Sequence, residues 1–172
     1  MNDVSQGEPA LVLEAFLPYR LAVLAHATSR ALAGVYAEKF GLSIAEWRIL
    51  ANLGRCGPLY AGELAERSSL DKPKVTRALQ RLEAAGFTQR VVGSQDRRQV
   101  RILLSRRGRS VFREIAALAL EWEKNFLAPL AKGERQALER ILTKLMQRVE
   151  DMHACAGRTT HHLRTLSSVE AP

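Results

Sequence analysis

The spacing of apolar residues changes twice inside one central stretch, and that change leaves the chain few folds. Val75, Leu79 and Leu82 recur at helical spacing as far as Gly86. From Phe87 the pattern has a period of two. Phe87-Thr88-Gln89-Arg90-Val91-Val92 and Gln99-Val100-Arg101-Ile102-Leu103-Leu104 are β-branched or alternating runs. Between them lies Gly93-Ser94-Gln95-Asp96-Arg97-Arg98, a polar, glycine-led connection, so the two runs read as a hairpin with adjacent arginines at its tip. Helical spacing then resumes behind Ser105, a candidate N-cap, with Val111, Phe112, Ile115, Leu118, Trp122 and Phe126 along one side. These periods predict a mainly α protein with one small β-hairpin.

The residues before the hairpin sharpen this. Tyr60 to Arg67 forms a short helix with Leu64 and Ala65 inward, and Ser68-Ser69-Leu70-Asp71 makes a turn with Asp71 as N-cap. Pro73 falls in the first turn of the next helix, where a missing N–H costs nothing. Lys74, Arg77 and Arg81 recur three and four residues apart on the face away from the apolar stripe. Two helices joined by a short turn, the second basic outside, read as a helix-turn-helix. Followed directly by the hairpin, they make a winged helix.

Upstream, Ser43-Ile44-Ala45-Glu46 has the form of a capping box and opens a helix with Trp47, Ile49, Leu50 and Leu53, closed by Gly54, Gly57 and Pro58. Leu11 to Phe40 reads as a long helix broken near Pro18 and ended by Gly41. Downstream, Pro129 and Gly133 interrupt the helical pattern. Glu134 to Met152 follows as a last helix with Leu138, Ile141, Leu142, Leu145, Val149 and Met152 on one near-heptad stripe. Gly157 to Pro172 has no sustained period and is expected to be a tail.

Charge points the same way. Of 26 Lys and Arg against 18 Asp and Glu, residues 59–110 hold 12 against 5, a net of +7 out of the chain's +8. A solvated basic surface spreads its excess, whereas a polyanion-binding module concentrates it.

The segment Asp96-Arg97-Arg98-Gln99-Val100-Arg101-Ile102-Leu103-Leu104-Ser105-Arg106-Arg107-Gly108 resembles the wing signature of the MarR family of winged-helix transcriptional regulators, Asp-x-Arg running through a strand into Leu-Thr-x-x-Gly. Leu70 to Gly86 resembles that family's recognition helix, and the likeness extends over about Leu11 to Met152. It departs at Tyr60, where the family has Ser or Thr, at Lys74 on the recognition helix, and at Ser105 in place of Thr. The resemblance implies a homodimer joined by interlocked N- and C-terminal helices. On that reading, residues 1–10 are an N-terminal tail and 11–40 with 106–155 a helical dimerisation region. Residues 41–105 are the winged helix-turn-helix DNA-binding lobe and 156–172 a C-terminal tail.

The expected partner is double-stranded DNA carrying a pseudo-palindromic operator. A helix in the major groove reads bases near its N-terminus, and arginine on guanine is the commonest specific contact. Arg77 with Lys74 and the Pro73 ring are placed for base edges, while Lys72, Thr76 and Arg81 are placed for the backbone. The resemblance assigns Arg98 to the minor groove, with Asp96 holding it and Arg97 reaching phosphate. Tyr19, Arg20, His26, Trp47 and Arg48 are candidates for a small-molecule effector site, because relatives bind phenolic or aromatic carboxylate ligands near the corresponding helices. For Trp47 a core or interface role is the stronger reading. The expected function is a regulator, in this family most often a repressor released by such a ligand. A ligand-independent architectural DNA-binding protein and a winged-helix protein-interaction module are the alternatives.

Other classes find little support. No P-loop, dinucleotide fingerprint, G-x-S-x-G or H-E-x-x-H is present, so neither an enzyme nor a cofactor is expected. His153, Cys155, His161 and His162 match no standard zinc spacing. Cys56 and Cys155 are too few for a disulfide framework and read as inert thiols of a cytoplasmic protein. No apolar run approaches the roughly 20 residues of a membrane span.

Overall fold

The structure, a computed structural model, describes residues 11–92 and 100–166. In chain order its elements are α1 (Leu17–Phe40), α2 (Ile44–Cys56), α3 (Ala61–Ser68) and α4 (Lys72–Ala84). They are followed by β1 (Thr88–Val92), β2 (Val100–Leu104), α5 (Arg106–Phe126) and α6 (Lys132–Leu166). This is the expected class: helices with one antiparallel hairpin.

The first helix differs from expectation at its start. Residues 12–16 form turns, with Ala15 N–H on Val12 O and Phe16 N–H on Leu13 O, and α1 begins at Leu17. Pro18 therefore opens the helix and does not break it, because the first turn needs no donor from it. At the other end Gly41 takes the left-handed conformation at φ 64° and donates to Ala37 O.

The capping box of α2 is formed as expected. Ser43 Oγ accepts from Glu46 N–H at 3.3 Å, and the Glu46 carboxylate accepts from Ser43 N–H at 2.7 Å. The helix then runs through Gly54, which was expected to help end it, and stops at Cys56 before Gly57. Gly54 serves packing: a Cβ there would lie 2.6 Å from the Phe112 ring of α5.

The core of the lobe gathers Ile49, Leu50 and Leu53 of α2, Leu64 of α3, and Val75, Ala78, Leu79 and Leu82 of α4. Phe87, Ile102 and Leu104 at the hairpin base join them, as does Ile115 of α5. Each buried aliphatic side chain contributes roughly 1.5–3 kcal/mol, so the stripe read from α4 holds the helix down by its inner face. The hairpin pairs Thr88 with Leu104 and Val92 with Val100. Leu59 adds a short bridge to Ile102, with both backbone bonds present at 3.0 and 2.8 Å.

The turn from β2 into α5 is the tightest point. Ser105 caps α5, accepting from Gly108 N–H at 2.9 Å while its hydroxyl donates to Gly86 O at 2.7 Å. Ser105 N–H also donates to Phe87 O at 2.9 Å. Gly108 rests directly on that carbonyl, since a Cβ would sit 1.9 Å from Phe87 O.

The chain divides after Glu123 into two compact units. In the second, Glu134 accepts from Ala131 N–H at 2.7 Å and so caps α6. Gly133 falls in the first turn of that helix and does not interrupt it. The helix also continues past Met152, where its apolar stripe ends, to Leu166. Once nucleated, a helix extends by one hydrogen bond per residue, and no proline lies between Pro129 and Leu166 to stop it. The stripe itself, from Leu138 through Ile141, Leu142 and Leu145 to Met152, is exposed.

Candidate nucleic-acid interface

With Val75, Leu79 and Leu82 buried, the geometry of α4 turns Lys72, Pro73, Lys74, Thr76, Arg77 and Arg81 outward, and all six are exposed. Their surroundings separate them. Asp71 caps the helix through Lys74 N–H at 2.8 Å and also pairs with Lys74 Nζ at 2.8 Å. The Lys74 ammonium, then its backbone N–H, hold the Asp71 carboxyl below the usual carboxylate range, and Arg77 adds a smaller pull. Lys74 is thus partly neutralised where it stands. Arg77, by contrast, has no ion-pair partner among the described residues.

Arg81 sits one turn further along, its Nη1 at 3.6 Å from Glu46 Oε1. Glu46 is buried while Arg81 is exposed, so the carboxylate that caps α2 also orients a cation on α4. Together Lys74, Arg77, Gln80 and Arg81 border a concavity of about 470 Å3 against the start of α2. Thr76 behaves differently from expectation: its hydroxyl donates to Lys72 O at 3.0 Å. A phosphate oxygen is itself an acceptor, so in this rotamer Thr76 offers it no donor.

Three arginines that the sequence reading left unassigned tie the lobe together. Arg90 of β1 grips Glu83 of α4 with Nε at 2.5 Å and Nη2 at 3.3 Å, and Glu83 raises its pKa further. Arg101 lies 5.1 Å over the Tyr60 ring and Arg107 lies 5.0 Å over the Phe87 ring. The signal for the first was available, as opposite charges seven residues apart straddling a helix-to-strand turn. At α3, Tyr60 N–H donates to Glu63 at 2.8 Å, so the acid three residues on holds the helix start. Asp96, Arg97 and Arg98 lie outside the described residues.

The five effector candidates do not converge within one chain. Trp47 sits in an aromatic row, 5.5 Å from Tyr36 and 6.3 Å from Phe112 between ring centroids. Arg48 donates to Ser29 Oγ at 3.2 Å and to Ser68 O at 3.4 Å, which links α1 to the end of α3. Burial pushes the neighbouring Tyr36 phenol up to about 12, against the pull of the Arg48 charge. Tyr19, Arg20 and His26 are exposed on α1. Tyr19 lies seventeen residues before Tyr36, roughly 25 Å along a helix rising 1.5 Å per residue. Cys56 is exposed, with Arg67 Nη1 at 3.8 Å from its sulfur. Among the described residues, no group of three or more His, Cys, Asp or Glu could hold a metal, and no helix is long and apolar enough to cross a membrane.

Comparison with known proteins places this geometry. The family model described as MarR family matches residues 42–100, from the start of α2 to the first residue of β2. The HTH-type transcriptional regulator PecS of Dickeya dadantii (strain 3937) is 30% identical over 141 residues, covering 80% of this chain and 81% of PecS. In three dimensions the chain is similar to a MarR/EmrR family transcriptional regulator from Acinetobacter sp. ADP1. The TM-score is 0.74 at 25% identity, over 82% of this chain and 99% of that one. It is also similar to NadR in complex with 4-hydroxyphenylacetate, with a TM-score of 0.66 at 25% identity, over 80% of this chain and 97% of NadR.

Proposed function

The chain belongs to the MarR family of DNA-binding transcriptional regulators, and from that premise we propose that it is a homodimeric, sequence-specific repressor. The observation that carries the proposal is the outer face of α4. Arg77 stands there without a partner, between a lysine held by the helix cap and an arginine oriented by Glu46. In a major groove Arg77 reads a guanine edge, with Lys74 and Pro73 beside it, while Lys72 and Arg81 engage phosphates. The wing follows the same logic. Glu83 and Arg90 fix its first strand to the reading helix, and the resemblance gives Arg98 the minor groove, Asp96 its orientation and Arg97 a phosphate.

The dimer reading rests on apolar surface left open in one chain. Leu17, Leu21 and Leu24 on α1 and Ile141, Leu142 and Val149 on α6 are all exposed. Patches of this kind mark association surfaces. Two lobes joined there meet half-sites about 10 bp apart, and repression follows from occupying the promoter. Release by a small aromatic or phenolic ligand is supported by the ligand bound to NadR. Such a ligand acts by favouring lobe spacings that do not match DNA. Tyr19, Arg20 and His26 then belong to the surface between protomers, and Trp47 and Arg48 to the joint between α1 and the lobe.

Fluorescence anisotropy on the upstream intergenic duplex and a scrambled duplex, at two salt concentrations, tests this. A preference of about 10³-fold or more for the native duplex is the expected result. Equal and steeply salt-dependent binding to both, followed by a genomic fragment selection that recovers no preferred sequence, would establish an architectural protein instead.

A further inference from the structure

A cavity of about 530 Å3 opens between the C-terminal end of α2, β2 and the first turns of α5. Its size falls within the roughly 300–1,000 Å3 of small-molecule sites. Leu53, Pro58, Leu103 and Phe112 supply apolar walls, and Gly54 and Gly57 contribute no side chains that could fill it. Only two charged residues line it, Arg109 and Arg113, one helical turn apart on α5, and no acidic residue does. Glu114, the nearest acid in sequence, is engaged by Lys39 and leaves those charges uncompensated.

The two arginines differ in what they already hold. Arg113 commits Nε to Arg109 O at 3.3 Å, and its terminal nitrogens make no ion pair among the described residues. Arg109 Nη1 donates to Leu104 O at 3.0 Å, the last residue of β2. It therefore ties α5 to the base of the wing. An apolar slot with two guanidinium groups and no acid selects an amphipathic organic anion. The body leaves water for the slot while a carboxylate takes the planar N–H groups.

We infer that this cavity binds a small carboxylic acid with a linear or flat apolar body, and that the occupied site acts on the wing through Arg109. A carboxylate that recruits Arg109 competes with Leu104 O for the same donor, loosening one tie between α5 and β2. The site is separate from the α1 and α2 positions considered above, and only its consequence at DNA rests on the regulator reading.

Isothermal titration calorimetry of the full-length protein without DNA tests the site, with octanoate and hydrocinnamate as probes and octanol and hydrocinnamyl alcohol as neutral counterparts. The expected result is that an acid binds about tenfold or more tightly than its alcohol. Arg113→Gln, on an exposed side chain, removes that advantage and leaves alcohol binding alone. Leu103→Trp, which fills the slot, abolishes binding of both while circular dichroism stays unchanged. Acid and alcohol binding alike, acid binding undiminished in Arg113→Gln, or no acid binding in the millimolar range overturns the site.

The second arm repeats the duplex anisotropy with saturating acid. Affinity is expected to fall for the parent and to hold for Arg113→Gln. Acid binding with unmoved duplex affinity overturns the link through Arg109. A protein that takes the acid but binds no duplex sinks the regulator reading and leaves the site standing.

Discussion

Gly108→Ala is the sharpest test of how the wing is seated. A Cβ at this position would lie 1.9 Å from Phe87 O and 2.8 Å from Phe87 C, whereas real Cβ contacts stay outside 3.0 Å. The start of α5 or the turn at Phe87 must then retreat by about 1 Å or more, in a core that is close-packed. That retreat strains the bond from Ser105 N–H to Phe87 O and the Ser105 cap, worth about 1 kcal/mol each. Overpacking adds about 1–3 kcal/mol. Against this, alanine is better than glycine in a helix by about 1 kcal/mol. The net expectation is a loss of about 2–4 kcal/mol, a large share of the roughly 5–15 kcal/mol of a typical domain. Urea unfolding followed by far-UV circular dichroism, at one fixed protein concentration because dimerisation shifts the midpoint, measures it. Gly62→Ala is the control: it is also helical, nothing lies within 4 Å of its Cβ position, and it should gain up to about 1 kcal/mol. If both variants move the same way, or Gly108→Ala loses less than about 1 kcal/mol, the close approach at Phe87 is wrong.

Four other expectations follow from the interface. Arg77→Ala relaxes base preference at one position per half-site, at about 1–3 kcal/mol; uniform weakening on every sequence would make Arg77 a phosphate contact. The Glu83–Arg90 pair is partly exposed, so Glu83→Gln and Arg90→Gln each change stability by less than about 1 kcal/mol. In a double-mutant cycle on duplex affinity, however, the two are expected to be strongly non-additive, and additive losses would remove the clamp from wing positioning. Asp71→Ala lowers the urea midpoint at neutral pH. Because the folded pKa of Asp71 is depressed, its contribution is complete above the unfolded value of about 3.9 and lost as pH falls through the lower folded value. The gap to the parent should therefore close in acid, and a gap unchanged there would rule out the carboxylate as its source. Leu142→Asp puts a charge on the α6 stripe and should yield monomer in sedimentation equilibrium; a dimer of unchanged strength would place the interface elsewhere.

The amino-acid sequence by itself determined what depends on local spacing. The stripe of Val75, Leu79 and Leu82, the caps at Ser43, Asp71 and Ser105, and the alternation on either side of residues 93–99 all act over a few residues, and each element formed where its period lay. The outward set on α4 was legible for the same reason, since burying one helical face exposes the other. What lay beyond local spacing was decided by tertiary structure. Gly54 and Gly108 look like helix breakers in the sequence, yet Phe112 and Phe87 O need the space they leave, and those partners are distant in the chain. The capping glutamate of α2 holds Arg81 only because the start of α2 lies against α4, so Lys74, Arg77 and Arg81, alike by spacing, became three cations in different states. The same dependence explains why Arg48 became a tie from α1 to α3, and why the cavity beside Arg109 and Arg113 had no signature. Its walls come from α2, β2 and α5, and a cavity is a property of how surfaces meet, which no residue spacing records.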